Sequence, residues 1–394
     1  MLHRQFNTKR LWAMLIGCVS LFTLFSPQSA HSDSATPTPT STAAARPLAA
    51  PPADFAYALG VRDFSFPRDY GPHPQYQLEW WYSTGNLSDV HDSDHRFGYE
   101  LTFFRRANTP TSLAENDAEQ LYLADFAVTD VAAGKFYTSQ ISNQAVSGQA
   151  GATIDPLFRV WIQNWSMSAV DDQSKTMHLQ AAQNPIAIDL TTIQTKGPML
   201  NGDHGLSQKS PKPENASYYY SISRLATQGT LTINGKTYHV SGNSWMDHEF
   251  GTSALGDDDV GWDWFGLQLN NNREIMLYLI RKIDGSIEPA SQGTLMNADD
   301  TYQTVPLSAI SVDVTEYWWS PHHNARYPAA WQLRIQAHSG PIVLNVAPLV
   351  ADQELESIIP YWEGACRLTG TDNGQAILGY GYVELTGYAG MMPR

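Results

Sequence analysis

The sequence predicts an all-β chain whose antiparallel strands form sandwiches or barrels. Short runs of aromatic and β-branched residues follow one another along most of the chain, broken by Gly, Asn and Asp. Polarity alternates over residues 230–233, and Asn234 and Gly235 then supply a two-residue hairpin turn. No long segment repeats with a helical period, and only residues 352–359 are consistent with a short helix.

A strand is expected wherever such a run lies between turn-forming residues. The expected strands are residues 77–87, 97–105, 121–131, 157–169, 177–182, 186–192, 218–225, 229–233, 236–240, 262–269, 274–282, 291–296, 308–319, 331–337, 342–348 and 376–386. Many short strands at this spacing are typical of sandwiches and barrels. A chain of 394 residues is long enough for two such domains.

The N-terminus has the parts of a secretory signal. Two basic residues precede an apolar run over residues 11–25, and Ala30 and Ser32 offer the small residues of a cleavage site. We therefore expect residues 1–32 to be a signal peptide that is cleaved near Ser32. The mature protein is expected to be periplasmic or secreted.

Two alternatives for the N-terminus stay open. In the first alternative, the apolar run is an uncleaved membrane anchor, although it is shorter than the span of about 20 residues that a membrane helix needs. In the second, residues 15–18 (LIGC) resemble a bacterial lipobox, and Cys18 carries the lipid. A membrane is expected as a partner only if Cys18 is lipidated.

Composition limits the possible partners. Acidic residues outnumber basic ones by 39 to 24, and no basic cluster occurs, so nucleic acid is not an expected partner. Aromatic residues make up 11% of the chain, which favours a β-protein with an aromatic-lined interior. Cleavage of the signal leaves Cys366 without a partner for an intramolecular disulfide, so the fold must be held by its core.

The densest group of chemically active residues lies in residues 244–251 (SWMDHEFG), and residues 261–265 (GWDWF) follow it closely. In an extended strand, Asp247 and Glu249 point to one face and His248 points to the other. The three side chains therefore line one site only if the segment bends. By the same rule, Asp263 faces away from the two tryptophans that flank it.

A carboxyl group walled by indole rings loses hydration, which raises its pKa and keeps it protonated. A neutral carboxylic acid in an apolar pocket can protonate an unactivated substrate, and tryptophan faces stabilise a developing cation. The structural alternative stays open. In it, Asp247 and Glu249 cap turns or pair with Arg273 or Arg281, and the tryptophans only fill the core.

Other chemistries have less support in the sequence. No metal site is predicted, because no HExxH-type spacing and no second histidine at a ligand offset lies near His248. The chain lacks the nucleophile elbow of serine hydrolases and the glycine patterns of nucleotide-binding sites. Cys366 is expected to be a small buried residue rather than a nucleophile.

Several long strings resemble the AttH/CrtC-type lipocalin-like proteins, in the order in which that family has them. The strings are residues 78–87 (LEWWYSTGNL), 218–225 (YYYSISRL), 244–251 (SWMDHEFG), 261–265 (GWDWF), 361–365 (YWEGA) and 381–388 (GYVELTGY). The resemblance covers the chain from about residue 55 to the C-terminus.

The resemblance implies an all-β fold of two consecutive lipocalin-like (calycin) antiparallel β-barrel domains. With the signal peptide, the expected organisation is a disordered linker over residues 33–54, an N-terminal barrel over 55–250 and a C-terminal barrel over 251–394. The family includes carotenoid 1,2-hydratase, which adds water to a terminal alkene without a cofactor. Many of its members are labelled only as AttH or as secreted hydrolases.

The family's Asp-His motif falls on Asp247 and His248, and its tryptophan-rich motif falls on residues 262–264. The resemblance thus implies that Asp247 is the proton donor and that His248 is its partner or orients water. Asp263 is the third candidate catalytic residue. The candidate substrate-binding residues are Trp81, Tyr220, Trp245, Glu249, Trp262 and Trp264.

We expect the ligand to be a hydrophobic, isoprenoid-like or carotenoid-like small molecule, and the activity to be cofactor-independent hydration of an alkene. The first alternative is a carrier of lipophilic ligands or an accessory protein of an export system, without chemistry. A secreted hydrolase is the third possibility, although the sequence shows no nucleophile for it.

Overall fold

The structure is a computed structural model that describes residues 55–108, 120–145, 148–253, 255–357 and 359–390. The predicted signal peptide, with Cys18, and the predicted linker lie outside these residues. Within them no helix has the length and apolar character needed to span a membrane. The helical segments described are two 3₁₀ turns, Arg68–Tyr70 and Leu307–Ala309.

Thirteen antiparallel strands form the first sheet. They are β1 (Leu78–Asp89), β2 (Asp92–Ala107), β3 (Gln120–Asp130), β4 (Lys135–Gln144), β5 (Ala150–Thr153), β6 (Arg159–Ile162), β7 (Trp165–Ala169), β8 (Thr176–Gln183), β9 (Ile186–Gln194), β10 (Met199–Leu200), β11 (Leu206–Gln208), β12 (Ala216–Ile233) and β13 (Lys236–Gly251).

Ten antiparallel strands form the second sheet. They are β14 (Asp259–Leu269), β15 (Glu274–Lys282), β16 (Gln292–Met296), β17 (Tyr302–Pro306), β18 (Ile310–Trp319), β19 (Arg326–Ala337), β20 (Gly340–Pro348), β21 (Glu354–Leu355), β22 (Tyr361–Asp372) and β23 (Gln375–Leu385).

Both sheets follow the same plan, in which the first strand pairs with the last. The order of the first is β4-β3-β2-β1-β13-β12-β9-β8-β7-β6-β5, and that of the second is β17-β16-β15-β14-β23-β22-β20-β19-β18. Strands β3 and β4 lie beside β6, so the first sheet is a nearly closed barrel. The predicted all-β, two-barrel fold class is confirmed.

Each sheet encloses its own apolar core. Trp81, Leu101 and Phe103 are fully buried inside the first, and Phe265 and Trp331 pack with edge-to-face rings inside the second. Alternation along each strand sends these side chains inward and their neighbours outward. The outward faces of the two sheets then pack on each other through a third, largely aromatic cluster.

Most predicted strands are present, and several were missed. The predicted turn is confirmed, because Ile233 pairs with Lys236 and both Asn234 and Gly235 have positive φ. The sequence failed to predict β4, β5, β17 and β22, as well as the two- and three-residue strands β10, β11 and β21.

The short helix predicted over residues 352–359 is wrong. Strand β21 lies there instead and pairs with β22, because Glu354 and Leu355 are buried against the second sheet. The strand predicted over residues 236–240 continues to Gly251 as part of β13. The candidate site residues 244–251 therefore lie in a long, fully paired strand rather than in a bend.

Buried polar contacts hold the two sheets together. The Lys196 ammonium lies 3.0 Å from Glu274 of β15 and donates to the carbonyl oxygens of Asn272 and Asn297. Arg224 of β12 donates to the same Glu274 carboxylate at 2.5 Å. Because both Lys196 and Glu274 are buried, each charge depends on its partners.

Replacement of Lys196 by methionine is expected to lower the free energy of unfolding by about 3 kcal/mol, because it removes one partner of a buried ion pair. Denaturant titration of wild type and variant measures this loss. The matched control is Arg334→Met, which removes an exposed pair with Asp313 and should change stability little. Equal losses in the free energy of unfolding of the two variants would contradict the coupling of the sheets through Lys196.

Candidate active site

A cavity of about 640 Å³ lies between the outward faces of the two sheets. Strands β1, β2, β12 and β13 form one wall, and β14, β15, β22 and β23 form the other. Its aromatic lining residues are Trp80, Tyr82, Phe104, Tyr219, Trp262, Trp264, Tyr278 and Tyr361. A pocket of this size with apolar walls and a few polar groups suits a small organic ligand.

Strand register explains which side chains reach this cavity. On the first sheet, two rows of directly paired residues cross strands β12, β13, β1, β2 and β3 in that order. The first row is Ser221, Asp247, Tyr82, Thr102 and Asp125, and the second is Tyr219, Glu249, Trp80, Phe104 and Leu123. On the second sheet, a row runs Tyr278, Trp264, Glu384, Glu363. Directly opposite residues share one face of a sheet, so each row presents its side chains together.

Asp247 lies in the cavity wall, where two aromatic side chains donate hydrogen bonds to it. The Tyr219 hydroxyl donates to Oδ2 at 2.5 Å, and the Trp245 indole donates to Oδ1 at 2.7 Å. The Trp264 indole donates in turn to the Tyr219 hydroxyl at 2.9 Å. Burial raises the pKa of Asp247 to about 7, although the hydrogen bonds oppose that rise.

Glu249 faces the same cavity and carries a different partner. Its Oε1 lies 3.0 Å from the Lys209 ammonium and accepts a hydrogen bond from the Ser217 hydroxyl. Burial alone would lower the pKa of Lys209, but the charge of Glu249 outweighs burial and raises it. Glu249 therefore pairs with a cation two residues from Asp247, which has none among the described residues.

Glu384 of β23 faces Asp247 from the second sheet, and sequence analysis missed it. Burial raises its pKa to about 8, the hydrogen bond with Trp262 opposes the rise, and the charges of Asp247 and Glu249 add to it. In the sequence, the string GYVELTGY that contains it shows only a family resemblance. Applying the two-residue period to that string would have placed Glu384 on one face with Tyr382.

Three further carboxyl groups cluster at the cavity with two tyrosines. Tyr361 places its hydroxyl 3.3 Å from Glu100 and 3.0 Å from Asp125, and Tyr82 donates to Glu363. Burial raises the pKa of Asp125 to about 6. Burial and the neighbouring acids raise the pKa values of Glu100 and Glu363 well above the usual range. Nothing in local sequence spacing joins these residues, since three different strands supply the carboxyl groups.

His248 lies on the opposite face of β13 from Asp247, as strand alternation requires. It is fully buried inside the first sheet, where its ring stacks on Trp81 at a centroid distance of 4.9 Å. Its Nε2 lies 2.9 Å from Glu79, and its Nδ1 lies 3.0 Å from the Tyr220 hydroxyl. The structure thus does not bring His248 to Asp247 as the resemblance implied.

Glu79 is the centre of a buried charge network. Burial alone would raise its pKa, but the Arg105 guanidinium, 3.0 Å away, and hydrogen bonds from His248 and His73 hold it well below its usual range. Burial lowers the pKa of His248, whereas the carboxylates of Asp69 and Glu79 outweigh burial and raise that of His73. The network joins the segment before β1 to the barrel.

The same network contains three possible metal-ligand atoms, from His73, Glu79 and His248, within 4.8 Å of one another. The sequence did not reveal this group because His73 lies far from His248 along the chain. Each atom is already hydrogen-bonded within the group, and Glu79 also binds the Arg105 cation. To bind there, a metal ion would have to replace the hydrogen bonds that join His73 and His248 to Glu79, next to the positive charge of Arg105.

The remaining predicted residues divide between three places. Trp262 and Trp264 line the cavity, and Trp245 supports Asp247 from beside it. Trp81 and Tyr220 are buried in the first core instead, on the face of their strands that carries His248. This placement differs from the expected substrate-binding wall.

Asp263 points away from the two tryptophans that flank it. Arg281 donates to its Oδ1 at 2.9 Å, and the Tyr388 hydroxyl lies 3.1 Å from both of its oxygens. Burial raises the pKa of Asp263 despite this pairing with Arg281. The structural alternative allowed Asp247 or Glu249 to pair with Arg273 or Arg281, but those arginines bind Asp372 and Asp263 instead.

Comparison with known proteins gives one family and several relatives. A family model described as AttH-like matches residues 57–388. A relative named dehydratase asqC, from Emericella nidulans, is 24% identical over 226 residues, which are 55% of this chain and 62% of the relative. The match thus spans less than two thirds of that relative's length.

Two solved structures share the architecture. A putative AttH from Nitrosomonas europaea is 29% identical, with a TM-score of 0.75, over 84% of this chain and 99% of the other. Kievitone hydratase from Nectria haematococca is 15% identical, with a TM-score of 0.63, over 86% of this chain and 97% of the other. At that identity the second likeness shows the fold alone.

The stability of the protein is expected to depend on pH through Glu100. Its folded-state pKa exceeds its unfolded value of about 4, so the native state binds more protons and stability falls as pH rises above that value. Glu100→Gln removes this loss. The variant should therefore gain stability relative to wild type as pH rises above about 5, as measured by denaturant titration.

The control for this titration is Glu316→Gln, the same chemical change on the exposed edge strand β18. Its difference from wild type should stay constant with pH. A constant difference for Glu100→Gln as well would mean that Glu100 is ionised in the folded protein.

Proposed function

This chain belongs to the AttH-like family, and from that premise we propose that it is a hydro-lyase that adds water to, or removes water from, a hydrophobic small molecule. The observation that carries the proposal is the buried Asp247 carboxyl in an aromatic cavity, with its pKa raised to about 7. A general acid works best when its pKa lies near the operating pH. The relatives named dehydratase and hydratase support the same class of reaction.

In the hydration direction, protonated Asp247 transfers its proton to one alkene carbon, and the alkene electron pair forms the new C–H bond. The adjacent carbon becomes cationic. The Asp247 carboxylate and the faces of Trp262 and Trp264 stabilise it. Water then forms the C–O bond and loses its proton to Glu249. Dehydration is the reverse sequence, and neither direction consumes a cofactor.

The environments of the two carboxyl groups support this assignment of roles. Asp247 has no cationic partner among the described residues, and burial favours its neutral form although the Tyr219 and Trp245 hydrogen bonds oppose that effect. Glu249 instead lies 3.0 Å from the Lys209 ammonium. Two neighbouring carboxyl groups with such different partners are the usual arrangement for an acid and a base.

The apolar wall supports a lipophilic substrate. Leu78, Leu123, Ile280 and Ile359 join the aromatic side chains around the cavity, and its volume of about 640 Å³ exceeds the needs of a small polar metabolite. An isoprenoid-like or carotenoid-like alkene remains our proposal for the substrate class.

Asp247→Asn keeps the shape of the side chain but has no acidic proton, so turnover should fall about a hundredfold or more. Wild-type turnover should also fall as pH rises through about 7, because the acid form of Asp247 is lost there. The assay incubates the protein with lipophilic extract of its own host in heavy-oxygen water and follows label uptake by mass spectrometry.

Asp189→Asn is the matched control, since its carboxyl group pairs with His178 at the surface of the first sheet, away from the cavity. This control should keep wild-type turnover. Full turnover by Asp247→Asn would refute its role as the acid. If wild type and Asp247→Asn carry the same unaltered lipophile and no label, the protein is a carrier instead.

The proposed site of action is the periplasm or the exterior of the cell, with an export-system component as a further proposed partner. The support is the basic, apolar and small-residue pattern of residues 1–32. Intact-mass measurement of the exported protein should find a chain that begins at Asp33. A lipid-modified Cys18 at the N-terminus would contradict cleavage at Ser32, and an unprocessed chain would contradict the signal peptide.

A further inference from the structure

Four carboxyl groups at or beside the cavity have no cationic partner among the described residues. We call Glu100, Asp125, Glu363 and Glu384 the acidic cluster. The first three are fully buried and Glu384 is half-buried, and none forms an ion pair with a lysine, arginine or histidine of the described chain. The nearby cation Lys209 is engaged by Glu249, and Arg105 is engaged by Glu79.

Hydrogen bonds leave one buried oxygen of the acidic cluster without a partner. Thr102 donates to Oε1 of Glu100, Gln140 donates to Asp125, and the Tyr361 hydroxyl lies 3.3 Å from Glu100 and 3.0 Å from Asp125. Oxygen Oε2 of Glu100 is buried at the cavity wall and has no partner among the described residues. A buried acceptor without a donor is costly, so Glu100 lacks a donor at this atom.

The missing donor must enter from the cavity, since Glu100, Glu363 and Glu384 all line it. An anion would meet four acidic groups and is disfavoured. A hydroxyl group could satisfy one acceptor but brings no charge that would favour ionised carboxyl groups. A protonated amine brings several N–H donors and a positive charge, which together satisfy the acceptors and favour the ionised form of the carboxyl groups.

The aromatic lining favours the same ligand charge. Tyr82 and Tyr361 contact the cluster, and Trp264 lies directly opposite Glu384 on the neighbouring strand. Ring faces attract ammonium groups, more strongly when the site is desolvated. The apolar wall beyond them is left for the hydrocarbon part of the same ligand.

We propose that the acidic cluster is a subsite for a protonated amine, and that the isoprenoid-like substrate of this cavity is an amphipathic compound that carries an ammonium group. This inference rests on the proposed function only in assigning the same cavity to the substrate. Glu100 and Glu363 bind the ammonium head, and the aliphatic and aromatic wall binds the rest.

Binding should release protons. Burial raises the pKa of Glu384 to about 8 and also raises those of Glu100 and Glu363, so the cluster holds at least one proton at neutral pH, and an ammonium ion would displace a proton from it. Release can be detected because the observed heat of binding then depends on the ionisation enthalpy of the buffer.

The test is calorimetry with three matched probes: naphthylmethylamine, naphthylmethanol and naphthoate. Wild type should bind the amine roughly tenfold more tightly than the alcohol, because a charge-assisted hydrogen bond adds to the shared apolar contact. Naphthoate should bind most weakly. The amine alone should show buffer-dependent heat.

Glu100→Gln and Glu363→Gln should each bring the amine-to-alcohol affinity ratio close to one and reduce proton release. Glu316→Gln on the exposed strand β18 should leave the ratio unchanged. Since the ratio is taken within one variant, it does not depend on how much of that variant is folded.

Equal binding of amine and alcohol by wild type would overturn the proposal, as would an unchanged ratio in both cluster variants. Neither result bears on the assignment of Asp247, because no turnover is measured. Conversely, full turnover by Asp247→Asn would refute the hydro-lyase mechanism and leave an ammonium preference of the cavity intact.

Discussion

The pleat of strand β13 decides what each residue of the candidate motif can do. Successive side chains of a strand point to opposite faces, so His248 enters the first core while Asp247 and Glu249 enter the cavity. Pairing with β1 on one side and β12 on the other leaves no freedom to bend this segment. The rest of the site follows from that register, because the neighbouring strands add their own side chains to the same two faces.

Burial between two sheets gives these carboxyl groups their chemistry. A carboxyl group on the outer face of a single barrel would be hydrated and ionised at neutral pH. Packing of the second sheet over that face removes the water, and the pKa values of Asp247 and Glu384 rise as a result. The buried ion pairs around Lys196 and Glu274 hold the sheets together, so stability and acid–base chemistry depend on the same interface.

Sequence patterns predicted the fold class and drew attention to Asp247, which lies in the cavity wall, but they did not predict the other carboxyl groups of the site. Alternation and turn residues act locally, so they identified most strands, the hairpin at Asn234 and the separation of Asp247 from His248. Residues of the acidic cluster come from strands β2, β3, β22 and β23, and only tertiary packing brings them together. Residue type alone suggested a ligand role for Trp81 and Tyr220, which the first core uses for packing.

The proposed mechanism requires Asp247 to hold a proton near neutral pH. Nuclear magnetic resonance tests this protonation most directly. The carboxyl carbon of Asp247 can be followed through a pH titration of aspartate-labelled protein, with Asp247→Asn to assign its signal. A titration midpoint at about 7, as burial implies, would support Asp247 as the proton donor. A midpoint near the ordinary aspartate value of about 4 would contradict it, since Asp247 would then be ionised and unable to donate a proton.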